Sequence, residues 1–231
     1  MKAMILAAGL GTRMRPLTLS TPKPLLPVAD KALIVYHLEQ LQSLGVKEVV
    51  INVSHLADKI KTALGSGERW DLQIHYSDES EPLETAGGIA RAMQWLEGEN
   101  FLCLNGDIWS DFQLSALPAE ESIDLAHLVL VNNPEHHPSG DFCLNTQHNQ
   151  HGQALIKDEG EPRLTFSGIS LLSSKLFAGL DDTAGRLAPY LRQAMLTDQV
   201  SGQHYAGHWF DVGTPERLAQ TDQLVRGLER S

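Results

Sequence analysis

An apolar run over residues 3–8 leads directly into Gly9-Leu10-Gly11-Thr12-Arg13-Met14-Arg15, with Pro22-Lys23-Pro24 shortly after. A short segment that is apolar at every position reads as a strand buried on both faces of a parallel sheet. Followed at once by two glycines, it commits this part of the chain to an α/β architecture with a tight loop at the strand's carboxyl edge. Ligands of open α/β sheets bind at that edge. Gly9 and Gly11 let backbone N–H groups approach a phosphate with no Cβ in the way, and Thr12 and Arg13 add donors. Arg15 and Lys23 add fixed positive charge. Such a loop handles a polyphosphate. Two common nucleotide fingerprints do not fit, since the Gly-x-Gly-x-x series ends at Met14 and no Gly-Lys-Ser/Thr is present.

The rest of the first half alternates strand and helix. Leu33, Leu38, Leu41 and Leu44 recur at helical spacing, with Gly45 placed to cap the helix. Residues 46–53 read as a second strand, 56–64 as a helix and 72–76 as a short strand. Residues 87–96 read as a helix opening on two glycines, and 101–104 as a strong strand ending in Asn105-Gly106-Asp107. That rhythm predicts a doubly wound sheet with right-handed crossovers. Beyond about residue 110, strands are expected at 125–131, 141–145 and 165–172, with a loop at 132–140 and a turn-rich stretch before the third. A helix over 189–196, a late strand over 204–212 and a final helix capped by Thr214-Pro215 complete the reading.

The chain has 231 residues, enough for one sizeable core that buries roughly 70–75% of its unfolded surface. A net charge of −11 argues against a nucleic-acid partner, which needs clustered Lys and Arg. It makes the early cations matter by position. Cys103 and Cys143 each sit in an apolar run and suggest no disulfide framework, so a reducing compartment fits. No segment reads as a signal peptide or a membrane span, and the expected location is the cytoplasm. His127, His136, His137, His148, His151, His204 and His208 follow no zinc spacing, and most of them read as solvated loop residues. Trp209 and Phe210 read as core. The apolar positions over 217–230 suit a surface helix or a subunit contact equally, so a homo-oligomer stays open.

Asn105-Gly106-Asp107 ends the strongest central strand, where a carboxylate can reach a cation bound to phosphate oxygens. The same tripeptide is also a common turn. Asp211, in Phe210-Asp211-Val212-Gly213-Thr214-Pro215, could join it as a second ligand or cap the following helix.

Together, residues 9–18, Pro22-Lys23-Pro24-Leu25-Leu26-Pro27-Val28, Asn105-Gly106-Asp107 and residues 210–215 resemble the sugar-1-phosphate nucleotidyltransferase family, in its motif order and over nearly the whole chain. The resemblance implies a Rossmann-like three-layer fold with a mixed, mostly parallel central sheet. Residues 1–231 would form a single domain, with 1–110 its nucleotide half and 111–231 its sugar half. It implies transfer of a nucleotidyl group from a nucleoside triphosphate to a sugar 1-phosphate with Mg²⁺, releasing pyrophosphate. Carried residue by residue, Gly9, Gly11, Thr12, Arg13 and Lys23 would hold the triphosphate, and Arg15 and Lys23 would supply the catalytic charge. Asp107 and Asp211 would hold the metal. Glu81 and Gly87 would read the base edge, and Asn105 would lie near the ribose.

Gly140 and Asp141 match the sugar-binding segment. The family's Glu-Lys-Pro is replaced here by Lys157-Asp158-Glu159-Gly160-Glu161-Pro162-Arg163, so its role would fall on Glu161. The short chain, Met14-Arg15 and Ser139-Gly140-Asp141-Phe142 look most like the branch that pairs UTP with N-acetylmuramate α-1-phosphate, whose lactyl carboxylate calls for a cationic or donor-rich sugar pocket. Guanylyl- and thymidylyltransferases acting on mannose or glucose 1-phosphate are the alternatives. A non-catalytic sugar-nucleotide-binding regulator is expected to lack the Lys or a metal carboxylate, and all four of Arg15, Lys23, Asp107 and Asp211 are present.

Overall fold

The computed structural model describes residues 1–183 and 185–230. In the first half, β1 (Lys2–Leu6), β2 (Pro27–Val28), β3 (Lys31–Ala32), α1 (Leu33–Ser43), β4 (Glu48–Val53), α2 (Ala57–Leu64), β5 (Gln73–Asp78) and α3 (Glu84–Leu96) lead to β6 (Asn100–Asn105). The second half holds β7 (Ile108–Ser110), β8 (Ala126–Val131), β9 (Phe142–His148), β10 (Ala154–Lys157), β11 (Arg163–Ser173), α4 (Ala188–Met195), β12 (Val200–Tyr205), β13 (Trp209–Asp211) and α5 (Pro215–Leu228).

Nine strands form one sheet in the order β5-β4-β1-β6-β11-β8-β12-β10-β9. The β5-β4-β1-β6 block is parallel throughout. Only β11 and β10 run against the others, because each pairs antiparallel with its neighbours while β8 and β12 pair parallel. A mixed, largely parallel sheet results, as expected.

Burial explains the unbroken apolar run of β1. Ala3 and Ile5 face one side and Met4 the other, and all three are fully buried. Ala3 and Ile5 pack with Ile34, Leu38 and Leu41 of α1 and Ile60 of α2. Met4 packs with Ile89, Ala92 and Leu96 of α3, in a cluster that extends to Leu191 and Met195 of α4. The sheet is the middle of three layers.

Register sets the position of everything that follows. Leu6 aligns with Asn52 on one side and Asn105 on the other, so β1, β4 and β6 end level. The loop after β1, the end of β4 and the Asn105–Asp107 turn therefore share one edge.

Gly45 takes φ +82° just past α1, and Thr214 caps α5, its side chain accepting from Arg217 N at 3.3 Å. Three expectations need correction. The helix read over 87–96 begins at Glu84, so Gly87 and Gly88 lie a turn inside it. There they permit close packing: a Cβ on Gly88 would stand 2.7 Å from Glu79 Oε1, and one on Gly87 2.6 Å from Asp182 O. The late strand over 204–212 is two strands, β12 beside β8 and β13 beside β7, with Gly207 folded against the Tyr205 ring at the break. The turn-rich stretch hides β10, whose four residues are too few for a periodicity to register.

Burial also makes stability pH-dependent. His37 on α1 is buried, which pushes its pKa down from 6.5 to about 4 despite the nearby Asp107 carboxylate. Burial lowers His127 as well. Below pH 6.5 the unfolded chain takes up protons that the folded chain refuses, so stability is full above that pH and falls as pH drops toward 4. From His37 alone the loss between pH 6.5 and 5 is about 2 kcal/mol. Denaturant unfolding at both pH values should show it, and His37→Gln should flatten the slope. An unchanged slope in that variant would contradict this account.

Candidate active site

The level strand ends open onto a cleft of about 460 Å³. Its floor is the loop after β1. Gly11 is fixed there for two reasons: it takes φ +60°, and a Cβ on it would stand 2.9 Å from Thr18 Cγ2. The Thr18 hydroxyl donates to Gly11 O at 2.8 Å and locks the turn. Gly9 has nothing within 4 Å of where a Cβ would sit, so its surface stays open to a ligand. Gly9, Gly11, Thr12 and Arg13 all line the cleft.

Successive cations diverge at this point. Arg13 lines the 460 Å³ cleft and also a second recess of about 350 Å³ beside it, reached past Asn105 and Asp107. Arg15 is exposed and belongs to the lining of neither. Arg13 lies inside the three-residue 3₁₀ turn Thr12–Met14, which buries Met14, and Arg15 follows as its C-cap. Lys23 opens another such turn, Lys23–Leu25, and is only 8% exposed. Its ammonium lies 2.5 Å from Asp107 Oδ2, so the aliphatic stem is packed while the charge faces the cleft.

Asp107 and Asp211 meet through the small β7–β13 pair, in which Asp211 aligns with Ile108. Val212 N donates to Asp107 O at 3.0 Å, and both aspartates line the second recess. Each carboxylate already has a cation. Asp211 Oδ2 accepts from Arg217 Nη1 at 2.7 Å, and His136 Nε2 lies 3.3 Å from the same oxygen. The Arg217 guanidinium lies against Gly213, where a Cβ would stand 2.0 Å from Nη2. Among the described residues no cluster of three or more His, Cys, Asp or Glu could hold a metal unaided. Two hard carboxylate oxygens at one recess instead fit a small divalent cation whose other positions go to water and a substrate's phosphates.

One wall of the large cleft is a buried polar network that the sequence reading missed. Asn52 Oδ1 accepts from Ala7 N at 2.7 Å, and Asn52 Nδ2 donates to Glu79 Oε1 at 2.8 Å. Glu79 Oε2 accepts from Leu83 N at 3.0 Å. Glu79, 5% exposed, lines the cleft with Pro82 and Thr85. Glu81, two residues on, is exposed and outside the lining. Gly87 is likewise not at the cleft, since it is buried against Asp182. Asn105 is at the cleft, at its junction with both neighbouring recesses.

In the second half, Asp141 Oδ2 accepts from Phe166 N at 2.8 Å and its Oδ1 lies 3.1 Å from His137 Nε2. Gly140 takes φ +60° against Asn133 and Arg163, which turns the chain to present Asp141. Glu161 is exposed, accepts from Arg163 N at 3.2 Å and lines none of these recesses. The site therefore offers an amide-rich loop with Lys23 and Arg13, two carboxylates lining one recess, and a recess on each side of Asn105. Such an arrangement can hold two phosphate-bearing molecules end to end.

Residues 2–226 match the model of the Nucleotidyl transferase family. The chain is 46% identical to the N-acetylmuramate alpha-1-phosphate uridylyltransferase of Neisseria meningitidis serogroup B, over 97% of this chain and 98% of that protein. It is 36% identical to the protein of the same name from Caulobacter vibrioides, over 96% of each. In fold it is similar to a Bacillus anthracis protein assigned as a glucose-1-phosphate thymidylyltransferase, with a TM-score of 0.84, 21% identity and coverage of 97% and 95% of the two chains.

Proposed function

This chain belongs to the nucleotidyl transferase family, and we propose that it transfers a uridylyl group from UTP to N-acetylmuramate α-1-phosphate. The products are UDP-N-acetylmuramate and pyrophosphate. One observation carries the choice of substrate: near-full-length likeness to two relatives of that name, the nearer 46% identical.

The triphosphate lies on the loop after β1, with backbone N–H groups and Arg13 around it and the Lys23 ammonium beside the reacting phosphate. Glu79, held by Asn52, faces the base from the cleft wall, in the place first expected for Glu81. Residues 1–110 serve the nucleotide and 111–231 the sugar, within one domain. The sugar phosphate oxygen is already an anion, so no general base is needed. It attacks the α-phosphorus in line, the bond to the bridging oxygen breaks, and pyrophosphate leaves with the electron pair. The protein's task is to bring two mutually repelling anions together and offset their charge. Asp107 and Asp211 would hold Mg²⁺, which when bound offsets negative charge on the phosphates. The Lys23 ammonium leaves Asp107 for the phosphates, and Arg217 is freed from Asp211 to meet the incoming sugar phosphate. The cytoplasm, which supplies nucleoside triphosphates, is the place for this reaction.

Incubating the purified protein with each of UTP, GTP, dTTP and ATP and a panel of sugar 1-phosphates, and measuring pyrophosphate, tests the reading. UTP with N-acetylmuramate α-1-phosphate should be the best pair. No product from that pair would reject it.

Gly11→Ala forces a non-glycine residue into the left-handed region and against Thr18, costing about 1–3 kcal/mol of strain. The loop must shift to relieve it. The KM for UTP should rise about tenfold, equivalent to roughly 1.4 kcal/mol. A KM within twofold of the parent would show that the loop does not hold the triphosphate.

A further inference from the structure

A third recess, of about 270 Å³, opens beside the nucleotide cleft and shares Leu6, Glu84, Thr85 and Asn105 with it. Phe142, Phe166, Leu187 and Leu191 give it apolar walls, and Asp141 also lines it. Two arginines also line it, Arg186 and Arg192. In a chain of net charge −11, a pair of guanidinium groups at one small recess is a concentration of the scarcer sign.

Arg186 is placed by specific contacts. Gly185 O accepts from Ala86 N at 2.7 Å and from Gly87 N at 3.3 Å, which fastens the chain ahead of α4 onto the first turn of α3. Arg91 pairs with Asp182 at 3.1 Å and reinforces the join. Gly87 makes it possible, because a Cβ there would collide with Asp182 O. What this anchoring delivers is a cation with a weak counter-ion: the Arg186 side chain is 80% exposed and its nearest carboxylate, Glu84, is 3.9 Å away. Arg192 donates from Nε to Asp158 at 2.9 Å, and its guanidinium carbon lies 6.0 Å from the centre of the Phe142 ring. Its terminal nitrogens make no hydrogen bond among the described residues.

N-acetylmuramate differs from N-acetylglucosamine by an ether-linked lactyl group, whose carboxylate is ionised at neutral pH. A recess that already holds Asp141 and Glu84 would repel that carboxylate unless cations met it. We propose that Arg186 and Arg192 form the specificity element of this enzyme, gripping the lactyl carboxylate while the sugar ring lies against the apolar walls. This rests on the muramate reading above. Charge-assisted bonds from guanidinium to carboxylate are strong and directional, and a site with polar groups awaiting one ligand group rejects the analogue lacking it.

The test compares N-acetylmuramate α-1-phosphate with N-acetylglucosamine α-1-phosphate on the parent enzyme and on Arg186→Ala, Arg186→Lys, Arg192→Ala and the double alanine variant. For the second sugar the readout is its KM, or its inhibition constant where it is not turned over. Arg186 is exposed, so its variants should fold and melt like the parent. The double variant should raise the KM for the muramate substrate about 10–100-fold and leave the constant for the glucosamine substrate within twofold. Arg186→Lys should recover part of the loss. Equal changes for both sugars, or none for either, would overturn the proposal while the function stands. A parent enzyme that takes the glucosamine phosphate and refuses the muramate phosphate would overturn the functional reading, and this inference with it.

Discussion

Lys23→Ala should lower kcat/KM by about 10³-fold or more while the protein remains folded. A single well-placed cation at a phosphoryl-transfer centre is worth on the order of 10³–10⁵ in rate. Lys23 has both the burial and the position for that role, 8% exposed with its ammonium in the cleft beside Asp107. Truncation does two things at once. It removes the charge that offsets the phosphates, and in the ligand-free protein it takes from Asp107 the ammonium that now pairs with it. Lys23→Arg should rescue poorly, since a planar fork does not fit the packed stem of a point charge. Pyrophosphate release and thermal melting measured together check this. A variant within tenfold of the parent rate would mean that the ammonium does no catalytic work.

Asp107→Asn and Asp211→Asn should each reduce turnover by about 10³-fold, by analogy with the loss of other charge-stabilising groups at phosphoryl-transfer sites. Their effects should not add. If both carboxylates hold one cation, losing either opens the site, and the double variant should be no worse than the poorer single one. A readout independent of turnover separates metal loss from structural damage. Equilibrium binding of Mn²⁺ with a non-reacting UTP analogue, followed by electron spin resonance, should weaken at least tenfold in each variant. Asp211→Asn takes a partner from Arg217 and His136, and Asp107→Asn takes one from the nearly buried Lys23 ammonium, so the melting temperature should fall in both variants. Unchanged Mn²⁺ affinity in either variant would remove that aspartate from the metal site.

Much of this was legible in the sequence because the signals are local. The run through residues 3–8 is apolar since β1 is buried on both faces, and Gly45 and Thr214 sit where helix ends require them. Which residues line the cleft depends on distances that spacing does not encode. Glu81 stands in an acidic stretch that looks like a ligand loop. Yet the backbone bond from Glu79 N to Val53 O keeps the chain beside β4 for one residue past β5, and so Glu79 faces the cleft. A lone Asn in the apolar stretch around Asn52 was the available clue, because a buried amide needs partners. Arg13 and Arg15 look equivalent in sequence, and one tight 3₁₀ turn decides which of them lines the cleft. Arg217 and His136 reach Asp211 from segments 81 residues apart, a meeting that no motif announces. Gly87, expected beside the base, packs against Asp182 outside the cleft lining, and a glycine suits either use because both call for the same missing side chain.

The most direct test is a crystal structure with a non-reacting UTP analogue and Mn²⁺, with the metal located by its anomalous scattering. One strong peak is expected between the carboxylates of Asp107 and Asp211, with the triphosphate on the loop of Gly9, Gly11 and Arg13 and within reach of Lys23. A peak bound elsewhere, or a triphosphate that leaves that loop empty, would contradict this placement.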